Sequence, residues 1–106
     1  MIPKIIYMTN IDRRYFMMRR ALDELIADGE MPASSQVVKT EDGSVWSASW
    51  EEKLRGSALV MIRFMGNTIR TKFWTACMHF LSREGIPYYM DAAGSAEEEC
   101  IERGAG

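Results

Sequence analysis

The sequence predicts an α/β fold built on a mostly parallel β-sheet, and three observations lead to that prediction. Short apolar runs alternate with longer amphipathic segments along the chain. Residues 58–94 hold the clearest example, in which an apolar run, a Gly-Asn-Thr turn, a long amphipathic stretch, a Gly-Ile-Pro turn and a second apolar run follow one another. This order is that of a strand–helix–strand crossover, and such a crossover joins parallel strands.

The composition is typical of one soluble globular domain. The 106 residues are enough for a single hydrophobic core, and hydrophobic residues make up 47% of them against 26% charged. The net charge of −2 argues against nucleic acid as a partner, because phosphate neutralisation needs a basic surface. No apolar run approaches the ~20 residues that span a bilayer, and the N-terminal run is too short for a signal peptide. We therefore expect a cytoplasmic protein without a membrane partner.

The chain begins with a strand and a helix. Residues 4–9 (KIIYMT) form a nearly continuous apolar run, which predicts a strand buried on both faces. Asn10 or Asp12 is expected to cap a helix over residues 13–27, and Gly29 is expected to end it. The apolar stripe of this helix is predicted to comprise Tyr15, Met18, Leu22, Leu25 and Ile26.

A second strand and a short helix follow in the middle of the chain. Residues 36–40 contain two consecutive valines and predict the strand. Ser49 and Glu52 have the spacing of a capping box, in which each side chain accepts a hydrogen bond from the other residue's backbone N–H. They predict a short helix that ends near Gly56.

The crossover contains the two remaining strands and the third helix. Residues 58–65 predict a strand, Thr68 is expected to cap a helix over residues 69–84, and Gly85 is expected to end that helix. Residues 88–91 predict the fourth strand. The buried stripe of the third helix is predicted to comprise Ile69, Phe73, Ala76, Cys77, Phe80 and Leu81.

These elements together predict a flavodoxin-like three-layer sandwich. Right-handed crossovers and the usual doubly wound arrangement give its four strands the order 2-1-3-4. The domain is expected to cover residues 1–94. Residues 95–106 are predicted to be a polar, acidic tail or the start of a further helix.

The topology nominates a ligand-binding crevice outside the carboxyl ends of the first and third strands. Backbone N–H groups and the positive end of a helix dipole attract anions at such a place. The turn at residues 66–68 lacks the glycine spacing of a dinucleotide fingerprint and the Gly-Lys-Ser/Thr of a P-loop. An ordinary strand–helix turn and an anion-binding loop are therefore both open. The candidate ligand-binding residues are Thr9, Asn10, Gly66, Asn67, Thr68 and Arg70.

Other reactive side chains indicate no catalytic residue and no metal site. His79 is the only histidine, and it projects away from the apolar stripe of its helix, where we expect it to be exposed. Cys77 lies on that stripe and is interpreted as a small core residue, while Cys100 lies among glutamates. Four arginines of the first helix are interpreted as a solvated face: Arg13, Arg14, Arg19 and Arg20.

Trp46 and Trp50 lie close together at the short helix. Two exposed tryptophans would mark a contact surface for a protein partner. The same pair could instead anchor a short amphipathic helix to the sheet. We retain both residues as candidate interaction residues.

The run LRGSALVMIRFMGNTIRTKFWTACMHFLSREGIPYYMDAAGS resembles the N-terminal region of the large subunit of aerobic-type cobaltochelatase, the CobN family, which is related to the H subunit of magnesium chelatase. In that family a strand reading alvlir is followed by a glycine, a helix containing a Trp, and a reGIP turn into another strand. Residues 58–64, Gly66, Trp74 and residues 83–87 carry these features here. Close matches are confined to residues 58–90. Family members commonly have an acidic residue before the third strand, where this chain has Gly-Ser.

The resemblance implies a part in the ATP-dependent insertion of cobalt into a corrin precursor during cobalamin synthesis. The implied partners are the rest of the large subunit and separate ATPase subunits, and the tetrapyrrole, cobalt and ATP belong to the full complex. The resemblance implies no catalytic residue and no bound cofactor in this segment, because the family's tetrapyrrole and metal motifs lie mainly outside it. The alternative is a stand-alone flavodoxin-like module that binds a small anionic ligand or a protein partner.

Overall fold

The computed structural model describes residues 3–41, 44–65 and 72–93. The predicted cap Thr68, the first residues of the predicted third helix and the acidic tail at 95–106 lie outside them. Every element that the described residues contain falls where the sequence predicts one, although the last strand runs two residues further than expected. The elements are β1 Ile5–Thr9, α1 Asp12–Ala27, β2 Gln36–Lys39, α2 Ala48–Leu54, β3 Leu59–Met65, α3 Lys72–Arg83 and β4 Tyr88–Ala93.

The four strands form one parallel sheet in the order β2-β1-β3-β4. Met8 of β1 pairs with Val38 of β2 on one side and with Ile62 of β3 on the other. Ile62 in turn pairs with Met90 of β4. The predicted α/β fold and strand order are confirmed.

The predicted helix caps at the start of α1 and α2 are wrong. The N-cap of α1 is Ile11, whose aliphatic side chain has no atom that could accept a cap hydrogen bond. The Ile11 N–H donates to the Thr9 hydroxyl at 3.1 Å, and this bond shapes the turn. The N-cap of α2 is Ser47, also without a side-chain cap bond. Ser49 therefore lies inside the helix, and the expected capping box does not form.

Glycine ends two of the helices as expected, through the Schellman arrangement of hydrogen bonds. Gly29 has a φ of 75° and donates to Ile26 O, while the next N–H, that of Glu30, donates to Leu25 O. At the end of α3, Gly85 donates to Ser82 O and the following residue donates to Leu81 O. These positive-φ positions favour glycine, because a Cβ would strain the backbone there.

One face of the sheet carries the hydrophobic core. Side chains alternate along a strand, so every second residue of β1 and β3 points to this face. The buried strand residues are Ile6, Met8, Val60, Ile62 and Phe64, and α3 covers them with Phe73, Trp74, Cys77, Phe80 and Leu81. Trp74 is absent from the predicted stripe, and its ring stacks on Phe64 with centroids 5.4 Å apart. Ala76, which the prediction placed on the stripe, is half-buried.

Among residues 3–41, 44–65 and 72–93, α1 is the element that covers the opposite face, and this face is less buried. No residue of α1 is buried, and its predicted stripe, including Met18 and Leu22, is half-buried throughout. In β1, Ile5 and Tyr7 face α1 and are half-buried. Residues 5–9 are thus covered on both faces, as the sequence predicts, but on the α1 face Ile5 and Tyr7 are half-buried and Thr9 alone is fully buried.

Replacing Phe80 with Ala is expected to lower the free energy of unfolding by about 3–5 kcal/mol, since its ring is 1% exposed at the centre of the core. Phe16→Ala removes the same ring from a position that is 67% exposed on α1, and it is expected to change stability by less than about 0.5 kcal/mol. Urea denaturation followed by circular dichroism measures both. Equal losses in the two variants would contradict the one-sided core.

Candidate functional site

The structure describes two of the residues of the predicted crevice, Thr9 and Asn10. Thr9 is fully buried at the end of β1, where its hydroxyl bonds to the Ile11 N–H and its carbonyl accepts from the Thr40 N–H at 2.9 Å. Asn10 follows it and is half-buried. Thr9 thus has a structural part in the β1–α1 turn. Gly66, Asn67, Thr68 and Arg70 lie outside the described residues, so the crevice itself stays a prediction.

A cleft of about 230 Å³ opens beside this position, between α1 and the sheet. It lies over the switch point, where β1 and β3 are neighbours and α1 packs on the β1–β2 half of the sheet. The residues lining the cleft come from four elements: Tyr7, Arg14, Met18, Met61, Ile62, Arg63 and Tyr89. Its existence follows from the incomplete cover on this face.

The cleft combines two guanidinium groups with an apolar wall. Arg14 comes from the first turn of α1, and Arg63 pairs with Thr9 at the carboxyl end of β3. Arginine stays charged at any ordinary pH and offers planar donors that match carboxylate or phosphate oxygens. Tyr7, Tyr89 and the methionines supply aromatic and thioether surface around these charges. This arrangement can hold an anion that is attached to an apolar or planar group.

The sequence interpretation missed most of this cleft. Arg14 belongs to the helical cluster interpreted as a solvated face, and the structure turns it partly inward while Arg13, Arg19 and Arg20 stay exposed. The sequence did contain a signal at Arg63. This residue interrupts an otherwise apolar strand, and it lies two residues from Met61 and therefore on the same strand face. An arginine on the same strand face as two apolar residues indicates a cavity or a sheet surface that reaches solvent.

A second, smaller cavity continues the cleft under α1. Its volume is about 80 Å³, and it shares Tyr7, Met18 and Met61 with the first. The open space between α1 and the sheet therefore extends from the first cleft along the β1–β2 half of the sheet.

Trp46 and Trp50 pack against the hydrophobic core. Their rings stack on each other with centroids 6.5 Å apart, and both meet the edge of Phe73 at 5.5 and 5.1 Å. The Trp46 indole N–H also donates to Glu51 Oε2 at 3.0 Å. These contacts attach α2 to α3, so the anchoring interpretation has direct structural support. Both rings remain half-buried, and a contact with a partner stays a prediction.

Charged side chains surround the tryptophan pair. The Lys53 ammonium lies 5.3 Å from the Trp50 ring centroid, and Arg83 Nη2 lies 3.8 Å from Glu51 Oε2. Each such exposed contact contributes well under 1 kcal/mol. Charged side chains therefore surround the exposed parts of the two tryptophan rings, and the remaining parts of these rings pack against the hydrophobic core.

Thr40 holds a buried hydroxyl that sequence reasoning passed over. It follows β2 at the carboxyl edge of the sheet and is 1% exposed. Within the described residues its Oγ1 has no hydrogen-bond partner, although its backbone N–H is bonded to Thr9. Burying an unpartnered hydroxyl costs about 1–3 kcal/mol. No chemistry is assigned to it, because the atom is closed to solvent.

Cys77 and His79 lie where the sequence interpretation expects them, and Cys100 lies outside the described residues. Cys77 is fully buried, and burial raises the pKa of its thiol to about 12. His79 is exposed on α3. Across residues 3–41, 44–65 and 72–93, no group of three or more His, Cys, Asp and Glu side chains could hold a metal ion. In the same part of the chain, none of the helices is both long and apolar enough to cross a membrane.

Comparison with known proteins adds no assignment to this geometry. No protein-family model matches the chain. No curated protein matches it either.

The buried thiol leads to a prediction about reactivity. In a Cys100→Ser variant, Cys77 is expected to resist iodoacetamide at pH 8.5 while the chain is folded, because the thiolate is the reactive form and burial disfavours it. Mass spectrometry is expected to show full labelling once urea is added. The raised folded-state pKa also means that this thiol's contribution to stability is complete below pH 9 and falls as the pH rises from 9 towards 12. Rapid labelling of the folded chain would contradict its burial.

Proposed function

We propose that this chain is a non-catalytic domain of a cobaltochelatase-type large subunit, acting in ATP-dependent metal insertion into a tetrapyrrole in the cytoplasm. The proposal places chelation, the tetrapyrrole, cobalt and ATP in the full complex, with the rest of the large subunit and separate ATPase subunits as partners. The observation that carries it is the resemblance of residues 58–90 to the N-terminal region of that family. Within the large subunit, this domain would have a structural role, lie near the tetrapyrrole or dock another subunit.

The places of the resembling residues in the fold support this proposal. Trp74 lies buried against Phe64, and the turn around Gly85 joins α3 to β4 by Schellman hydrogen bonds. Residues 58–64 supply the central strand, which pairs on both sides. The resemblance therefore concerns residues that determine the fold, as expected when two chains share a domain and not merely a short surface motif.

A chimera tests the proposal directly. In a characterised cobaltochelatase large subunit, the N-terminal region that corresponds to residues 1–94 is replaced by residues 1–94 of this chain. With the ATPase subunits, ATP and the corrin precursor, this chimera is expected to insert cobalt, whereas a subunit lacking that region is expected to be at least about tenfold slower. The isolated chain is expected to insert none.

The matched control is a chimera that carries an unrelated flavodoxin-like domain of similar length. It separates a need for this particular domain from a need for any folded domain in that place. If the chimera with this chain is no faster than the control, the chelatase proposal is wrong. Cobalt insertion is measured from the absorbance change of the corrin ring.

A second candidate function is a module that binds a small anionic ligand, and the cleft favours it. Arg14 and Arg63 lie in one cavity with Tyr7 and Tyr89, so positive charge and aromatic surface converge there. A ligand with a phosphate or carboxylate on a planar ring would use both features. The cleft volume of about 230 Å³ is below the roughly 300–1,000 Å³ of typical ligand pockets, so it would hold the anionic group and part of the ring system and leave the rest of the ligand outside.

Thermal denaturation distinguishes this candidate, with flavin mononucleotide and a purine nucleotide as the probes. A ligand present at 100 times its Kd stabilises a folded chain by about 2.7 kcal/mol, which raises the Tm by several degrees. Arg14→Ala is expected to abolish that rise. Arg19→Ala is the control, because Arg19 is exposed and does not line the cleft. Its guanidinium donates instead to the Tyr15 hydroxyl, at 3.0 Å. No rise with either probe would rule these ligands out.

A further inference from the structure

The outer face of α1, on the side away from the sheet, exposes an aromatic ring to water. Met18, Leu22 and Leu25 line the space between this helix and the sheet. Because each residue turns a helix by about 100°, Phe16 lies about 160° from Met18 and points outwards. Phe16 is 67% exposed in the part of the chain that the structure describes. A large ring in this position is a candidate anchor for a partner.

A shallow depression lies beside Phe16 on the same face. Its volume is about 400 Å³, and it is lined by Phe16, Arg19, Arg20, Asp23 and Glu24. Four residues at the spacing i, i+3, i+4 and i+7 form a hole that accepts one side chain from a facing helix, and positions 16, 19, 20 and 23 have that spacing. The outer face of α1 therefore carries both a knob, which is the Phe16 side chain, and a hole of the kind that receives a knob.

The exposed charges of α1 change sign along the helix. The charged residues exposed on the outer face and its flanks are, from the first turn onwards, Arg13, Arg19, Arg20, Asp23 and Glu24. The acidic residue of the first turn, Asp12, is paired with Lys39 of β2. A second α1 helix that runs in the opposite direction would bring its acidic turn to the basic turn of the first, and the reverse. This charge pattern is complementary to itself, so the partner that fits it is a second copy of this chain.

The knob, the hole and the charges agree in one antiparallel register. If Phe16 of each copy enters the other's hole, which is centred between residues 19 and 20, the two-fold axis lies at about the level of residue 18. Arg13, about 7.5 Å before this level, then meets Glu24 of the second copy, about 9 Å beyond it. Eleven residues make about three turns, so Arg13 and Glu24 lie on the same side of the helix. Arg20 lies at the level of the Phe16 ring of the second copy, where a guanidinium can stack.

We propose that two copies of this chain associate through the outer faces of their α1 helices, antiparallel, with each Phe16 in the other's hole and each Arg13 at the other's Glu24. A single pair of short helices buries less than the area of about 1,200 Å² that stable complexes need, so the dimer is weak and reversible. We expect a Kd of about 0.1 mM. The association does not depend on the chelatase proposal.

Sedimentation velocity of the full chain, from about 10 µM to 1 mM, tests this association. The sedimentation coefficient is expected to rise with concentration. Phe16→Ala is expected to weaken the dimer at least about tenfold, because it removes the knob, while the circular dichroism spectrum stays unchanged. Lys53→Glu is the control. It reverses an exposed charge on α2, on the other side of the sheet, and is expected to dimerise like the starting chain.

An exchange of charges tests the antiparallel arrangement. Arg13→Glu and Glu24→Arg each place like charges together twice in a dimer, so each variant is expected to associate with itself about tenfold more weakly. In an equal mixture of the two variants, both contacts join opposite charges again. The mixture is therefore expected to regain the affinity of the starting chain.

Three results would overturn the proposal. The first is a chain that stays monomeric at every concentration. The second is a dimer that Lys53→Glu weakens and Phe16→Ala does not, because the contact would then lie on α2. The third is a mixture of the two charge variants that associates no better than either variant alone, because Arg13 and Glu24 would then not meet across the interface.

Discussion

The packing of α3 on β3 is the interaction on which the rest of the structure depends. β3 is hydrogen-bonded on both sides, to β1 and to β4, so its position determines the register of three strands. Val60, Ile62 and Phe64 all point to α3 and are at most 1% exposed. Burying side chains of this size contributes about 1.5–3 kcal/mol each. The aromatic stacking of Phe64 on Trp74 adds a directional contact to that burial.

This packing explains why the two faces of the sheet differ. The apolar side chains of β3 that are large and fully buried all lie on one face, and α2 is drawn to the same face through Trp46 and Trp50. The other face keeps half-buried tyrosine, methionine and arginine side chains, which tolerate contact with water. Arg63 could not lie on the α3 face without a large desolvation cost. The charged cleft is therefore a consequence of the one-sided core.

The sequence was enough to predict the strands, their order and the ends of two helices. Apolar runs identify strands because burial of apolar surface drives folding, and Gly29 and Gly85 act through local backbone geometry alone. The capping box at Ser49 was wrong for a tertiary reason, since packing of the tryptophans on Phe73 places α2. The cleft could not be predicted, because it depends on how far α1 is displaced towards β2 by packing between layers. Arg14 lies in a cluster of four similar arginines, and only the rotation of the helix distinguishes it.

The residues that carry the family resemblance lie on both faces of the sheet, because residues 58–64 supply Phe64 to the core and Arg63 to the cleft. Trp74 and Phe64 lie on the core face, whereas Arg14, Arg63 and Tyr89 lie on the other. One set stabilises the domain and the other presents charge, so a substitution in the cleft can change binding with little effect on the core. The resemblance therefore includes residues of both the core and the cleft. The cleft on the α1 face brings Arg14 and Arg63 together, and this charge distinguishes it from the apolar core face.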